Sequence, residues 1–189
     1  YGFQFGVNPP DEAFVVETTV ASFPENPVNY QSAGLQIGPG DQSNYVKLVA
    51  AANDGNGGVE FATEVEDSFS GQMTDESAVA GGTTTLRMTV DPTIDPTPND
   101  GSNDVAVTAE YEISGTTTEV GTTSMPASWL DTSDGSGLAV GIISTSNGAG
   151  STFSATWTDI SVEYVTPPAT PTADAGADQT VDEGASVTL

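Results

Sequence analysis

The densest group of candidate metal ligands in this sequence lies in a stretch rich in turn-forming residues. The stretch "DPTIDPTPNDGSND" (91–104) carries four aspartates, Asp91, Asp95, Asp100 and Asp104. Hard cations such as Ca²⁺ take about six to eight oxygen ligands, which such a loop can supply. No glutamate closes the spacing of an EF-hand loop. The stretch therefore indicates either a calcium site or a solvated acidic hairpin.

Glutamates at alternating positions indicate a second kind of chemistry. In "EFATEVED" (60–67), Glu60, Glu64 and Glu66 fall on one face of a predicted strand. Paired carboxylates hydrolyse glycosidic bonds, but no aspartate stands between these glutamates. The chain also lacks His and Cys and has one lysine, Lys47, so no nucleophile–base pair can be assembled. We therefore interpret this face as solvated and predict that the protein is not an enzyme.

Three aromatic residues are candidates for contact with a sugar ring. Tyr30 and Tyr45 lie in or beside predicted strands, and Trp129 lies in the loop "MPASWLD" (125–131). Tyr45 has the opposite parity to Val46 and Leu48, which indicates that it points away from the core. Burial as a core or loop anchor is the alternative for all three. Four other aromatics are predicted to be core residues: Phe14, Phe61, Tyr111 and Trp157.

The charge balance restricts the partners and the setting. The sequence has 27 acidic residues against two basic ones, Lys47 and Arg87, for a net charge of −25. Nucleic acids and anionic lipid surfaces need a basic footprint, and this chain has none. Self-repulsion of this size is tolerable where concentrated salt screens it. We therefore expect an extracellular or cell-surface protein of a halophilic organism such as an archaeon.

Apolar residues recur with a period of two along most of the chain. This alternation predicts half-buried antiparallel strands. The runs are 14–23, 33–37, 44–50, 58–67, 85–90, 105–113, 137–143 and 153–164, separated by Gly- and Asp-rich turns. In the last run the apolar face changes side between Trp157 and Ile160, which predicts a β-bulge. The fold class predicted is all-β, an antiparallel two-sheet jelly-roll sandwich followed by an extended C-terminal segment.

Two stretches resemble the concanavalin A-like sandwich family, which includes laminin G-like and glycoside hydrolase accessory modules. The stretch 30–49 is similar to its central strands, and 137–165 is similar to its closing strands. The resemblance implies a ligand site on one curved sheet and calcium near the adjacent loops. No ligand residue of the family has a matching position in this chain.

The C-terminal residues predict a change of domain. The Pro-rich stretch 166–172 is typical of a stiff linker, so the sandwich is expected to span residues 1–165. Residues 173–189, "ADAGADQTVDEGASVTL", resemble the opening of an Ig-like PKD module. Such modules act as spacers in extracellular proteins. Since the strand pattern breaks off at Leu189 and no Met precedes Tyr1, we expect the chain to be part of a longer precursor.

These patterns leave three functional hypotheses. The first is a non-catalytic module that binds a polysaccharide or glycan, in matrix attachment or adhesion. The second is a filament or layer subunit that binds other copies of itself by β-strand addition. In that reading the donated residues are Val181, Val187 and Leu189, carried on a linker of roughly 22 Å at about 3.1 Å per residue. A glycoside hydrolase is the third and least favoured reading.

Overall fold

The computed structural model describes residues 2–9, 11–98, 100–133, 137–146 and 152–165. Eleven strands form within these ranges, with two single 3-10 turns at Ser77–Val79 and Ala127–Leu130. The strands are β1 (Gly2–Val7), β2 (Phe14–Ser22), β3 (Ser32–Gly38), β4 (Tyr45–Asn53), β5 (Asn56–Val65), β6 (Ser68–Met73), β7 (Thr84–Asp91), β8 (Asp104–Ile113), β9 (Thr116–Pro126), β10 (Leu138–Thr145) and β11 (Thr156–Tyr164).

The strands form two sheets that pack face to face. The six-stranded sheet has the order β1-β10-β3-β4-β5-β6, and the five-stranded sheet has the order β11-β2-β7-β8-β9. Each pairing between described strands is antiparallel. The predicted class, an all-β antiparallel two-sheet sandwich, is confirmed. The predicted C-terminal extended segment lies outside the described residues.

Three of the hairpins turn on two residues with positive φ. These pairs are Asp54–Gly55, Glu66–Asp67 and Ser114–Gly115. Two consecutive left-handed residues make the turn whose twist matches that of antiparallel strands. The sequence signal "NDGN" (53–56) marks the first of them. Glu66 therefore lies in a turn and not on the strand face with Glu60 and Glu64, so that expectation is wrong.

The core lies between the sheets and is built from the alternating apolar residues. Phe14, Phe61 and Tyr111 are buried as predicted, and Trp157 packs against the same cluster while partly exposed. Gly34 in β3 occupies a crowded position within this region. A Cβ atom there would lie 2.4 Å from the Leu48 carbonyl oxygen and 2.6 Å from Leu86 Cδ1.

The predicted irregularity in the last strand is confirmed. The register between β11 and β2 shifts between Trp157 and Ile160. The hydroxyl of Thr18 on β2 is fully buried and donates a hydrogen bond to the carbonyl of Asp159 inside the bulge. A bulge leaves some main-chain groups without a hydrogen-bond partner in the neighbouring strand, and the Thr18 hydroxyl provides a partner for one of them.

The sheets are joined at one side by a glutamine. Gln72 Nε2 on β6 donates to the carbonyl oxygen of Val120 on β9 at 3.0 Å. Val120 is the extra residue where the β8–β9 register shifts. Gly121 follows with φ 151°, and a Cβ there would lie 2.7 Å from Gln72 Nε2. Across the part of the chain described here, no helix has the length and apolar character needed to cross a bilayer.

Candidate functional site

A long concave surface lies on the outer face of the six-stranded sheet. It is a groove of about 1120 Å³ that crosses β1, β10, β3, β4, β5 and β6. We call it the sheet groove. The strand register aligns its side chains in rows, one of which runs from Tyr45 through Glu64 to Phe69. A parallel row contains Gln36 and Lys47.

Small residues at the centre of the sheet create the depression. Gly141, Ala51 and Ala62 take outward-facing positions where a larger side chain would fill the groove. A Cβ at Gly141 would lie 2.3 Å from the carbonyl oxygen of Phe3, so this position is closed to any other residue without a shift of β1. Phe69 and Met73 on β6 form one wall, because both project from the edge strand and are 54% and 41% exposed.

Lys47 lies at the middle of the groove and is held by two contacts. Its Nζ is 2.9 Å from Glu60 Oε2, and the two side chains are only 14% and 21% exposed. The same ammonium lies 5.5 Å from the centroid of the Phe69 ring, within the range of a cation–π contact. The cation is therefore fixed in position, and its positive charge compensates the negative charge of Glu60.

Tyr45 and Glu64 form a second pair across β4 and β5. The phenol of Tyr45 donates a hydrogen bond to Glu64 Oε2. Burial raises the pKa of Tyr45 well above its usual range, and the hydrogen bond to Glu64 and the negative charges of Glu64 and Glu60 raise it further. The phenol is therefore a fixed hydrogen-bond donor at neutral pH.

The raised pKa of Tyr45 predicts a loss of stability in alkali. Below pH about 10, where an unfolded tyrosine is protonated, the contribution of Tyr45 is complete. As the pH rises above that value the unfolded chain ionises this phenol and the folded chain does not, so the free energy of unfolding falls. We therefore expect the free energy of unfolding, measured by urea denaturation, to fall more for the wild type than for Tyr45→Phe between about pH 9 and pH 11, a range that brackets the pKa of an unfolded tyrosine. Equal pH dependence of the two proteins would contradict this.

Two of the three aromatic candidates meet at the groove. Tyr30 lies on its rim and is 66% exposed, and Tyr45 lies on its floor. Tyr30 has φ 74°, a conformation that a bulky residue rarely adopts. Its turn is held because Gln31 Oε1 accepts from the Val28 amide at 2.9 Å and Asn29 Oδ1 accepts from the Gly55 amide at 2.9 Å.

Trp129 lies elsewhere. It belongs to the 3-10 turn that follows β9 and packs, partly buried, against the core. The structure therefore does not bring it together with Tyr30 and Tyr45. Its part in sugar contact stays a prediction.

The aspartates of the stretch 91–104 serve local turns. Asp91, Asp95 and Asp100 each accept a hydrogen bond at Oδ1 from the amide of the residue two positions on, at 2.9, 2.8 and 2.8 Å. The Ser102 hydroxyl, and then its amide, hold the pKa of Asp100 below its usual range. Asp104 opens β8. Among the described residues no three acidic side chains converge as a metal site, so calcium at this loop stays a prediction.

Several groove residues were not identified from the sequence. Phe69 and Met73 were missed because no strand was predicted at 68–73. The partnership of Lys47 with Glu60 depends on strand register, which a single sequence does not specify. The residues of the predicted assembly strand, Val181, Val187 and Leu189, lie outside the described residues, as do the linker 166–172 and the PKD-like tail.

Comparison with known proteins supports the architecture. No protein-family model and no curated protein sequence matches this chain. The solved structure of the GH43 protein BlXynB from Bacillus licheniformis matches with a TM-score of 0.59 and 15% identity, covering 82% of this chain and 28% of that one. GH43B of the Bacteroides ovatus xyloglucan PUL matches with a TM-score of 0.54 and 17% identity, covering 80% and 26%.

A functionally unknown protein from Saccharomyces cerevisiae is also similar. Its TM-score is 0.56 at 13% identity, with 87% of this chain and 74% of that chain covered. The chain spans about a quarter of the length of the two GH43 proteins. Similarity at these identities shows the β-sandwich fold alone.

Proposed function

We propose that this protein is a non-catalytic carbohydrate-binding module of an extracellular or cell-surface protein from a halophilic organism. The observation that carries the proposal is the sheet groove, in which exposed aromatic rings border polar side chains. Sugar rings combine apolar faces with many hydroxyls, and a site for them needs both kinds of surface. The groove has both, from Tyr30 and Phe69 on one hand and from Gln36, Tyr45 and Lys47 on the other.

Preorganisation of these side chains supports binding. Lys47 is held by Glu60, and Tyr45 is held by Glu64, so neither loses much freedom when a ligand arrives. The positive φ of Tyr30 also supports a ligand site, since strained backbone conformations cluster at such sites.

The placement of the glutamates supports a non-catalytic role. Glu60 and Glu64 both lie on β5, and neither carboxylate is free of a partner in the sheet groove. Each glutamate is engaged, one by Lys47 and the other by Tyr45.

The proposal predicts that the rim aromatics carry the affinity. We expect the wild-type protein to bind a neutral polysaccharide in concentrated KCl, and Tyr30→Ala and Phe69→Ala each to weaken binding about tenfold or more, because the stacking surface is lost. Xyloglucan and xylan are suitable first ligands, because the names of two solved structures of similar fold contain the words xyloglucan and endo-xylanase. Affinity electrophoresis and titration calorimetry would measure the change.

Ile94→Ala is the matched control. Ile94 is exposed, like Tyr30, but lies in the β7–β8 connection away from the groove. Its substitution should leave binding unchanged. Failure of the wild type to bind any member of a broad glycan panel, or an equal loss in Ile94→Ala, would overturn the proposal.

A further inference from the structure

Among the described residues no strand pairs with the outer edge of β6, and this edge has an unusual combination of properties. Each residue from Ser68 to Met73 is exposed. The stretch 68–74, "SFSGQMT", has no charged side chain, although the protein carries 27 acidic residues. Edge strands are ordinarily blunted by lysine, proline, charge or a bulge. The stretch 68–74 has none of these.

The hairpin geometry specifies which main-chain groups are free. The two-residue turn at Glu66–Asp67 makes Val65 and Ser68 the first hydrogen-bonded pair. At the other end the Thr74 amide donates to the Val59 carbonyl at 2.9 Å. Hydrogen-bonded pairs recur at every second residue, so the even-numbered residues of β6 bond to β5. The amides and carbonyls of Phe69, Gly71 and Met73 point away from the sheet.

These three residues are self-complementary. In an antiparallel pairing about a two-fold axis at Gly71, Gly71 faces the partner's Gly71 and Phe69 faces the partner's Met73. The outward amides and carbonyls of all three residues then find partners, as in any hydrogen-bonded register. Glycine at the axis removes side-chain conflict, and the sulfur of methionine makes a favourable contact with an aromatic ring.

We propose that the β6 edge is a docking surface for the β6 edge of a second copy of this chain, joining two six-stranded sheets into one. A second copy carries the same charge of −25, so the electrostatic cost of close approach is lowest at an uncharged surface. The β6 edge is such a surface. The proposal is independent of glycan binding, although the paired sheets also place two sheet grooves side by side.

The ends of the paired segment make the contact dependent on salt. In this register Asp67 faces the partner's Asp75. Like charges directly opposite each other oppose pairing at low ionic strength. At about 1 M salt the Debye length is about 3 Å, which removes most of this repulsion. Association is therefore expected in molar salt.

Sedimentation velocity of the full chain at increasing concentration in about 2 M KCl, where screening is nearly complete, tests the proposal. The wild type should shift from monomer to dimer and no further, since an isologous contact closes on itself. Met73→Asp places a carboxylate against the partner's Phe69 at two symmetric positions and should weaken the dimer about tenfold or more. Ile94→Asp is the matched control and should dimerise like the wild type.

Cysteine crosslinking tests the register, because the protein has no cysteine of its own. Ser70 should face the partner's Gln72 as a non-hydrogen-bonded pair, with Cα atoms about 4.5 Å apart, within the range that a disulfide spans. A mixture of Ser70→Cys and Gln72→Cys proteins should form a crosslinked dimer on mild oxidation. Each variant alone should crosslink much less.

Four results would overturn the proposal. The first is a wild type that stays monomeric at all concentrations, and the second is a dimer that Met73→Asp does not weaken. The third is the formation of open-ended polymers. The fourth is that full-length Val187→Asp no longer associates while Met73→Asp still associates like the wild type. The last would make the C-terminal segment, rather than β6 of a second copy, the occupant of the interface.

Discussion

Transfer from about 3 M to about 0.1 M KCl is expected to lower the free energy of unfolding by about 5 kcal/mol or more. That is comparable to the whole stability of an ordinary domain, so the protein should unfold in dilute buffer. The cause is the net charge of −25, which acts over a Debye length of about 10 Å at 0.1 M salt and is almost fully screened at molar salt.

The structure offers little internal compensation for this charge. Arg87 Nε donates to Glu17 Oε2 at 2.7 Å, and its guanidinium lies 3.8 Å from Glu110 across the neighbouring strand. Lys47 is paired with Glu60. Both cations of the chain are thereby used, and the remaining carboxylates have no basic partner to bind. Screening must come from solution ions.

Urea denaturation followed by tryptophan fluorescence across a KCl series would measure the effect, because urea is uncharged. Sucrose at low salt is the control: it stabilises folded proteins by exclusion and does not screen charge. A free energy of unfolding that stays flat with KCl, or that sucrose restores as fully as KCl does, would contradict the explanation.

Gly34→Val is expected to lose about 3 kcal/mol or more of stability, and to fail to fold in marginal conditions. Overpacking of a core typically costs about 1–3 kcal/mol when side chains can yield. At Gly34 the close atoms include main chain, with Leu48 O at 2.4 Å and Val49 Cα at 2.7 Å from the position of a Cβ. Relief requires β3 and β4 to separate, at the centre of the six-stranded sheet.

Gly6→Val is the matched control for this substitution. Gly6 also lies in a strand of the same sheet, but nothing lies within 4 Å of its Cβ position. Valine favours strands, so the control should be neutral or slightly stabilising. Thermal unfolding in molar KCl would compare the two. Equal melting temperatures of the two variants would contradict the prediction, because they would mean that a side chain at position 34 can be accommodated without separating β3 from β4.

Sequence periodicity predicted the central strands and missed the edges. β2, β3, β4, β5, β7, β8 and β10 were predicted, because the apolar residues that face the core recur at every second position. β1, β6 and β9 were not predicted. Each forms a sheet edge, and β6 is exposed throughout, so burial imposes no alternation on "SFSGQM". β11 is also an edge but was found, because Trp157, Ile160 and Val162 still pack on the core.

The candidate site was only partly predictable, because it depends on the exposed strand β6 and on the register between strands. Parity alone indicated that Tyr45 faces away from Val46 and Leu48, and the structure places it in the sheet groove. The contribution of Phe69 required knowledge of β6. The pairing of Lys47 with Glu60 arises between strands, where register and not local pattern decides which side chains meet.

The position of Lys47 has a practical consequence for covalent labelling. It is the single lysine among 189 residues, so an amine-reactive reagent finds one side chain, inside the sheet groove. The rate at which it is acylated therefore becomes a direct reporter of whether the groove is occupied. Trypsin, likewise, has only Lys47 and Arg87 to cut, and both lie within paired strands. The folded domain should resist digestion until its strands separate, so the rate of tryptic cleavage would measure how often the whole domain unfolds.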